Sequence, residues 1–234
     1  MKRSDFLRLC GGMLLATQLP KTVWAQANKP TDGPQSLKNI RRITISAGAT
    51  KPFGALHISD THLTRVDERD NERKKSLSAA RQRAFKWAEH YFDAHIRYAA
   101  DNDMIMLHTG DLIDFVSEAN LSFIEGQLGV GNWFASAGNH EYSQFVGEAR
   151  EDAAYKAQSY DKVQAAYPNN LTLASQVVNG VNFVAIDDVY YNFTEQQHEL
   201  MEREVKRGLP IVMMCHVPLY TPRHCEYGLK QTKG

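Results

Sequence analysis

The sequence predicts an α/β fold on three observations. Apolar, strand-like runs alternate with helical patterns along most of the chain. Four of those runs stop abruptly at polar groups able to bind metal: Asp60-Thr61-His62, Gly110-Asp111, Gly138-Asn139-His140 and His216. Two further runs flank Asn179-Gly180, the dipeptide that favours a two-residue hairpin turn. Ligands of open α/β sheets collect beyond the carboxyl ends of the strands. Four polar strand ends therefore predict one shared site.

The elements follow in order. Residues 42–46 alternate polar side chains with Ile, and residues 55–59 are short and mostly apolar, so both predict strands. Residues 70–100 contain no Gly or Pro, and Phe85, Ala88, Phe92, His95, Ile96 and Ala99 recur at steps of three and four, which predicts one long amphipathic helix. Residues 104–107 predict a buried strand leading into Asp111, and Ser117-Glu118 can start a helix reaching about residue 128. A strand over 133–137 ends at Gly138-Asn139-His140-Glu141, and a polar helix is expected over 146–166. Strands over 171–178 and 181–186 form the hairpin, Thr194 with Gln197 caps a helix to about residue 207, and a strand over 209–215 ends at His216-Val217-Pro218.

At 234 residues the chain has room for one α/β domain with a substantial core and not for two. Its 27 basic side chains match 27 acidic ones, which argues against a polyanion partner such as nucleic acid and leaves small or locally charged substrates open. Lys2 and Arg3, an apolar run over 9–19 and Ala25-Gln26-Ala27 have the form of a cleavable leader, so residues 1–27 predict a signal peptide and an exported, periplasmic or extracellular protein. An uncleaved amphipathic tail is the alternative. The run covers about 12 residues against the roughly 20 that span a bilayer, so no transmembrane segment is expected in the mature chain. Residues 28–39, rich in Pro, Gly, Lys, Asn and Gln, predict a linker, and the domain is expected over 40–234. Cys215 and Cys225 can pair or remain free thiols; neither pattern is favoured.

Carboxylate, imidazole and amide oxygen together suit Zn, Mn or Fe, because a Mg or Ca site would use few histidines. Asp60-x-His62 alone is a weak signal, since a solvated Asp near an unrelated His is common. Gly110-Asp111 adds a carboxylate on a turn where backbone can approach closely. Asn139-His140 at a strand end is more specific, although Asn139 can also serve as a helix cap. His57 and His108 at strand ends are expected to be hydrogen-bonded supporting groups; His90, His95 and His198 lie in helical patterns without partners at ligand spacing.

Taken in order, Asp60-Thr-His62, Gly110-Asp111-x-x-Asp114, Gly138-Asn139-His140-Glu141 and His216-x-Pro218 resemble the calcineurin-like metallophosphoesterase superfamily over about residues 40–220. The resemblance implies an α/β/β/α sandwich with mixed sheets. It implies two divalent or trivalent metal ions, with Asp60 and His62 on one, Asp111 bridging both, and Asn139 and His216 on the second. Two ions about 3.5–4 Å apart activate a bridging hydroxide for in-line attack on a phosphate mono- or diester without a phosphoenzyme. His140 would be the uncoordinated proton donor to the leaving oxygen, oriented by Asp114. Asp114 stands where purple acid phosphatases carry a metal-binding Tyr. The superfamily pattern continues with a Gly-His-x-His segment that supplies one more His to each metal, and the chain ends at Gly234 before any such segment. The final strands and two ligands are therefore expected to be missing, with His224-Cys225-Glu226 a poor substitute. The alternative reading is a scaffold of the same fold that binds a protein partner without catalysis.

Overall fold

Parallel strands cannot be joined by tight turns; each pair needs a crossover, which the helical segments between the strands supply. In the computed structural model, which describes residues 40–129, 131–146 and 153–232, three such strands form one sheet: β1 (Gly54–Ile58), β2 (Met104–Thr109) and β3 (Trp133–Ser136), all parallel and in that order. A second sheet is mixed. β4 (Leu173–Val178) pairs antiparallel with β5 (Val181–Ile186), and β5 pairs parallel with β6 (Ile211–Met214). Asn179 and Gly180 carry the hairpin turn with φ of 48° and 85°, the left-handed pair that a two-residue primed turn requires. The predicted leader at 1–27 and linker at 28–39 lie outside the described residues.

The sheets stack, and helices cover the outer face of each. Side chains alternate across a strand, so neighbours enter different layers. Leu107 and Phe134 face the second sheet, against Val181, Phe183, Ala185 and Met214. Met106 and Ala135 point the other way, into a core with Phe92, Ile124 and Val163. These last three belong to α2 (Ala88–Asp101), α3 (Glu118–Leu128) and α4 (Ala153–Ala166). Val184 and Ile186 pack outward against Leu200 and Met201 of α5 (Glu195–Lys206). This is the expected α/β/β/α layering, although only the second sheet is mixed; the first is parallel throughout its described strands. Ser117 caps α3 through Asn120 N at 3.0 Å, and Thr194 with Gln197 forms a complete capping box on α5.

Several sequence expectations are corrected. Residues 42–46 form no strand; Ile43 and Ile45 are 81% and 71% exposed, and no described strand accepts a ladder from them, so alternation had nothing to pair with. The single helix expected over 70–100 is two: α1 (Glu72–Ala84) and α2, broken at Phe85, Lys86 and Trp87. Phe85 leaves helical geometry at φ −106° and ψ 37°, and its ring stacks on His62 instead of continuing the apolar stripe. The stripe belongs to α2, whereas α1 is mostly polar with no apolar stripe, buries Ser78 alone and is capped by Asn71. The helix expected over 146–166 is described from Ala153; residues 147–152 lie outside the described residues, and Val146 is in a turn. A helix not expected from the sequence, α6 (Pro222–Thr232), follows β6. The His224 side chain lies outside those described. Cys215 and Cys225 are free thiols. No described helix is long and apolar enough to cross a membrane.

Candidate metal centre

The turns after β1 and β2 are zipped to one another by their backbones. Asp60 N donates to Gly110 O at 3.1 Å, His62 N to Asp111 O at 2.9 Å, Leu63 N to Leu112 O at 2.9 Å, and Asp114 N returns to Leu63 O at 2.9 Å. To make these contacts Asp60, His62 and Asp111 all adopt left-handed φ, of 55°, 49° and 55°. Such conformations cost on the order of 1 kcal/mol each for residues with a Cβ and gather where function demands them. Gly110, at φ 90°, has no Cβ to obstruct the turn; one would lie 2.6 Å from His216 Nδ1 and 2.7 Å from Gly138 N.

This scaffold brings four of the predicted ligands, Asp60, His62, Asp111 and His216, together. The ligand atoms of Asp60, Asp111 and His216 lie within 4.8 Å of one another. Asp111 Oδ2 is 3.3 Å from His216 Nε2 and 3.7 Å from His62 Nε2, which is itself 3.9 Å from Asp60 Oδ1. Atoms bound about 2.0–2.2 Å from a common ion at tetrahedral angles lie roughly 3.3–3.6 Å apart, so this set fits a metal. The rear nitrogens agree. His62 Nδ1 is held by Asp114 at 3.0 Å and His216 Nδ1 donates to Thr109 O at 2.9 Å, leaving each Nε2 aimed at the carboxylates, as for metal-bound imidazoles. Asn139 lies half-buried between Gly138 and His140, its carbonyl accepting from Tyr142 N at 3.2 Å.

A second group, His62, Asp114 and His140, also has metal-ligand spacing. Here a guanidinium already holds the carboxylate. Arg81, on α1, donates to both Asp114 oxygens at 2.6 and 2.8 Å. A cation bound in that position opposes a second cation, so Asp114 acts as a hydrogen-bond hub. Around it His140 Nδ1 bonds Asp114 O at 2.8 Å and approaches Oδ1 at 3.3 Å, while His62 stacks on Phe85 at 4.6 Å. Burial raises the Asp114 carboxyl, but hydrogen bonds from Arg81, His140 and His62 outweigh it and hold the group far below the usual carboxylate range. For His140 burial acts downward, and the Asp114 hydrogen bond with the Asp111 charge overcomes it, giving a pKa of about 9.

Three supporting residues carried no assigned role in the sequence. Arg81 is one of several basic residues on a polar helix, with no motif to distinguish it. Glu141 was visible only as the last letter of its motif. It is fully buried; burial and the Asp111 charge push it up to about 7 against hydrogen bonds from nearby amides. Phe85 read as core. His108 fulfils its expected supporting role: it is fully buried, burial takes it down to about 3, and its Nε2 meets Thr61 Oγ1 at 2.5 Å between the two ligand candidates. His57 is hydrogen-bonded to Thr109 Oγ1 at 2.8 Å but is exposed and not part of the core. His90, His95 and His198 join neither metal-capable group.

Proton linkage follows from His216. Burial lowers its pKa, but pairing with Asp111 prevails and raises it to about 9. An imidazole titrating near 6.5 unfolded and near 9 folded adds stability that is complete below about 6.5 and gone above about 9. Metal-free protein is therefore expected to lose on the order of 3 kcal/mol of stability from this group across that window. A metal must displace the same proton, so Mn2+ affinity is expected to rise over that range. Urea unfolding of EDTA-treated protein from pH 6 to 9.5 checks the first effect. Calorimetric Mn2+ titration in buffers of different ionisation enthalpy checks the second.

A family model described as calcineurin-like phosphoesterase matches residues 55–233 of the chain, which contain all seven residues discussed as ligands or acid-base groups. No curated protein matches the chain.

Proposed function

Because the chain belongs to the calcineurin-like phosphoesterase family, we propose that it is a metal-dependent hydrolase of phosphate mono- or diesters of small molecules. The convergence of Asp60, His62 and His216 on Asp111, with both imidazoles fixed from behind, carries this reading. Asp60 and His62 would hold one ion, Asp111 would lie between two, and Asn139 with His216 would hold the second, Mn, Fe or Zn. Two such ions, when bound, supply the Lewis acidity that makes water nucleophilic near neutral pH and offsets charge on the phosphoryl oxygens.

The chain's own groups do the rest. In this reading His140 gives a proton from Nε2 to the departing ester oxygen, while Asp114 holds Nδ1 and so sets the direction of the ring. Arg81 holds Asp114, and Phe85 limits rotation of His62. The Gly110 and Gly138 turns keep added side-chain bulk out of the centre, where a Cβ at either position would meet ligand residues.

Purified full chain, stripped with EDTA and reloaded with Mn2+, is expected to hydrolyse p-nitrophenyl phosphate or its bis-ester, and to lose that activity when metal is withdrawn. Absence of both bound metal and turnover would overturn the hydrolase reading and leave a scaffold of this fold.

A further inference from the structure

Glu141 makes five hydrogen bonds and touches no group that the proposed reaction uses directly. Its Oε2 accepts from Gly138 N at 2.6 Å and Asp111 N at 2.8 Å. Its Oε1 accepts from Leu112 N at 2.7 Å, Ile113 N at 3.4 Å and Tyr167 Oη at 3.1 Å. The four amides belong to two turns from different strands: that after β2, which carries Asp111, and that after β3, which leads to Asn139 and His140. Asp111 also sits in a left-handed conformation that the chain would not hold unaided.

Burying a carboxylate is expensive unless every lone pair finds a donor. Here the donors are backbone amides that, at the ends of parallel strands, have no ladder partner. One side chain thus removes four unpaired amides and locks two turns at a fixed separation. A shorter side chain could not span them, and a neutral amide would turn an N–H2 toward N–H donors on one side.

We infer that Glu141 is a positioning residue that sets the spacing between Asp111 and the Asn139-His140 turn, and thereby the metal affinity of the centre. The inference rests on the metal-dependent reading above. It assigns Glu141 no contact with metal or substrate; it acts through the backbone of residues that have one.

Glu141→Gln in the full chain is expected to weaken Mn2+ binding by about 10–100-fold, the range for lost support behind a metal ligand, with far-UV circular dichroism retained. Isothermal titration with Mn2+ alone reads this without any turnover. The control is Tyr167→Phe, which removes one donor but neither turn, and should keep Mn2+ affinity within about threefold while lowering the melting temperature. Equal Mn2+ affinities in wild type and Glu141→Gln would overturn the inference, as would an equally large loss in Tyr167→Phe.

A second measurement needs no variant. Amide exchange of Asp111, Leu112 and Gly138 in metal-free wild-type protein is expected to be slow already, because Glu141 holds them before metal arrives. Fast exchange that slows only on adding Mn2+ would show that metal, not Glu141, orders the turns. These readouts separate the two proposals: Mn2+ binding without hydrolysis would sink the hydrolase reading alone, and fast metal-free exchange would sink the Glu141 assignment alone.

Discussion

Replacing Gly138 with alanine is expected to reduce turnover by about 100-fold or more and to weaken Mn2+ binding in parallel, with the fold retained. A Cβ at position 138 would sit 2.2 Å from Asp111 Oδ1 and 2.6 Å from Asp111 N. Neither distance is tolerable for a carbon, so the carboxylate must swing away or the turn must open by about an ångström. A misplacement of that size at a reacting centre costs on the order of 100-fold. The added methyl also presses on the backbone that Glu141 holds, which leaves no direction for cheap relief. Gly126 provides the matched control. It lies within α3, where an added methyl would have nothing within 4 Å, and alanine there should be neutral or stabilising by up to about 1 kcal/mol. Calorimetric Mn2+ titration and steady-state turnover on both variants decide the matter; Gly138→Ala with wild-type affinity and rate would refute it.

Asp114→Asn is the second large effect, and it has two readouts. The carboxylate is wholly buried and receives Arg81, His62 and His140 together. Asparagine keeps the shape but offers one acceptor where two are needed, and leaves the Arg81 guanidinium without its counter-charge. Breaking a buried pair from one side costs about 3–5 kcal/mol, so the melting temperature should fall by roughly 10 °C. The catalytic readout is selective. An alkyl phosphate needs a proton on its leaving oxygen and should lose about 100-fold or more, whereas a p-nitrophenyl ester leaves as a stable phenolate and should lose far less. Equal losses on both substrates would mean that Asp114 supports the fold and not the proton donor.

Much of the candidate site was legible because it is local. Asp60 and His62, Asp111 and Asp114, and Asn139 and His140 lie in short turns where motif and strand end coincide, and the hairpin at Asn179-Gly180 announces itself by a backbone need that two residue types meet. What was not legible depends on distant partners. The break at Phe85 has no Gly or Pro to mark it; what accompanies it is a stacking contact with the imidazole of His62, 23 residues earlier in sequence. Residues 42–46 carry strand-like alternation, yet a strand is a pairing and no described neighbour pairs with them. Arg81 is distinguished from other basic residues of α1 only by the carboxylate it reaches, 33 positions along.

His216 has a consequence of a different kind. It leaves β6 of one sheet, while the oxygen its Nδ1 bonds belongs to Thr109 at the end of β2 in the other, and its Nε2 meets Asp111 just beyond. The interior between the layers is apolar and holds them by area, without directional contacts. At its rim this imidazole acts as a rivet, beside Tyr142 Oη, which donates to Asp187 just beyond β5 at 2.6 Å: together they convert a sliding contact between two faces into a joint with a defined angle. Any ligand gripped from both sides of that joint stabilises the stacking of the whole sandwich by mass action, so occupancy of the site and rigidity of the architecture become a single equilibrium.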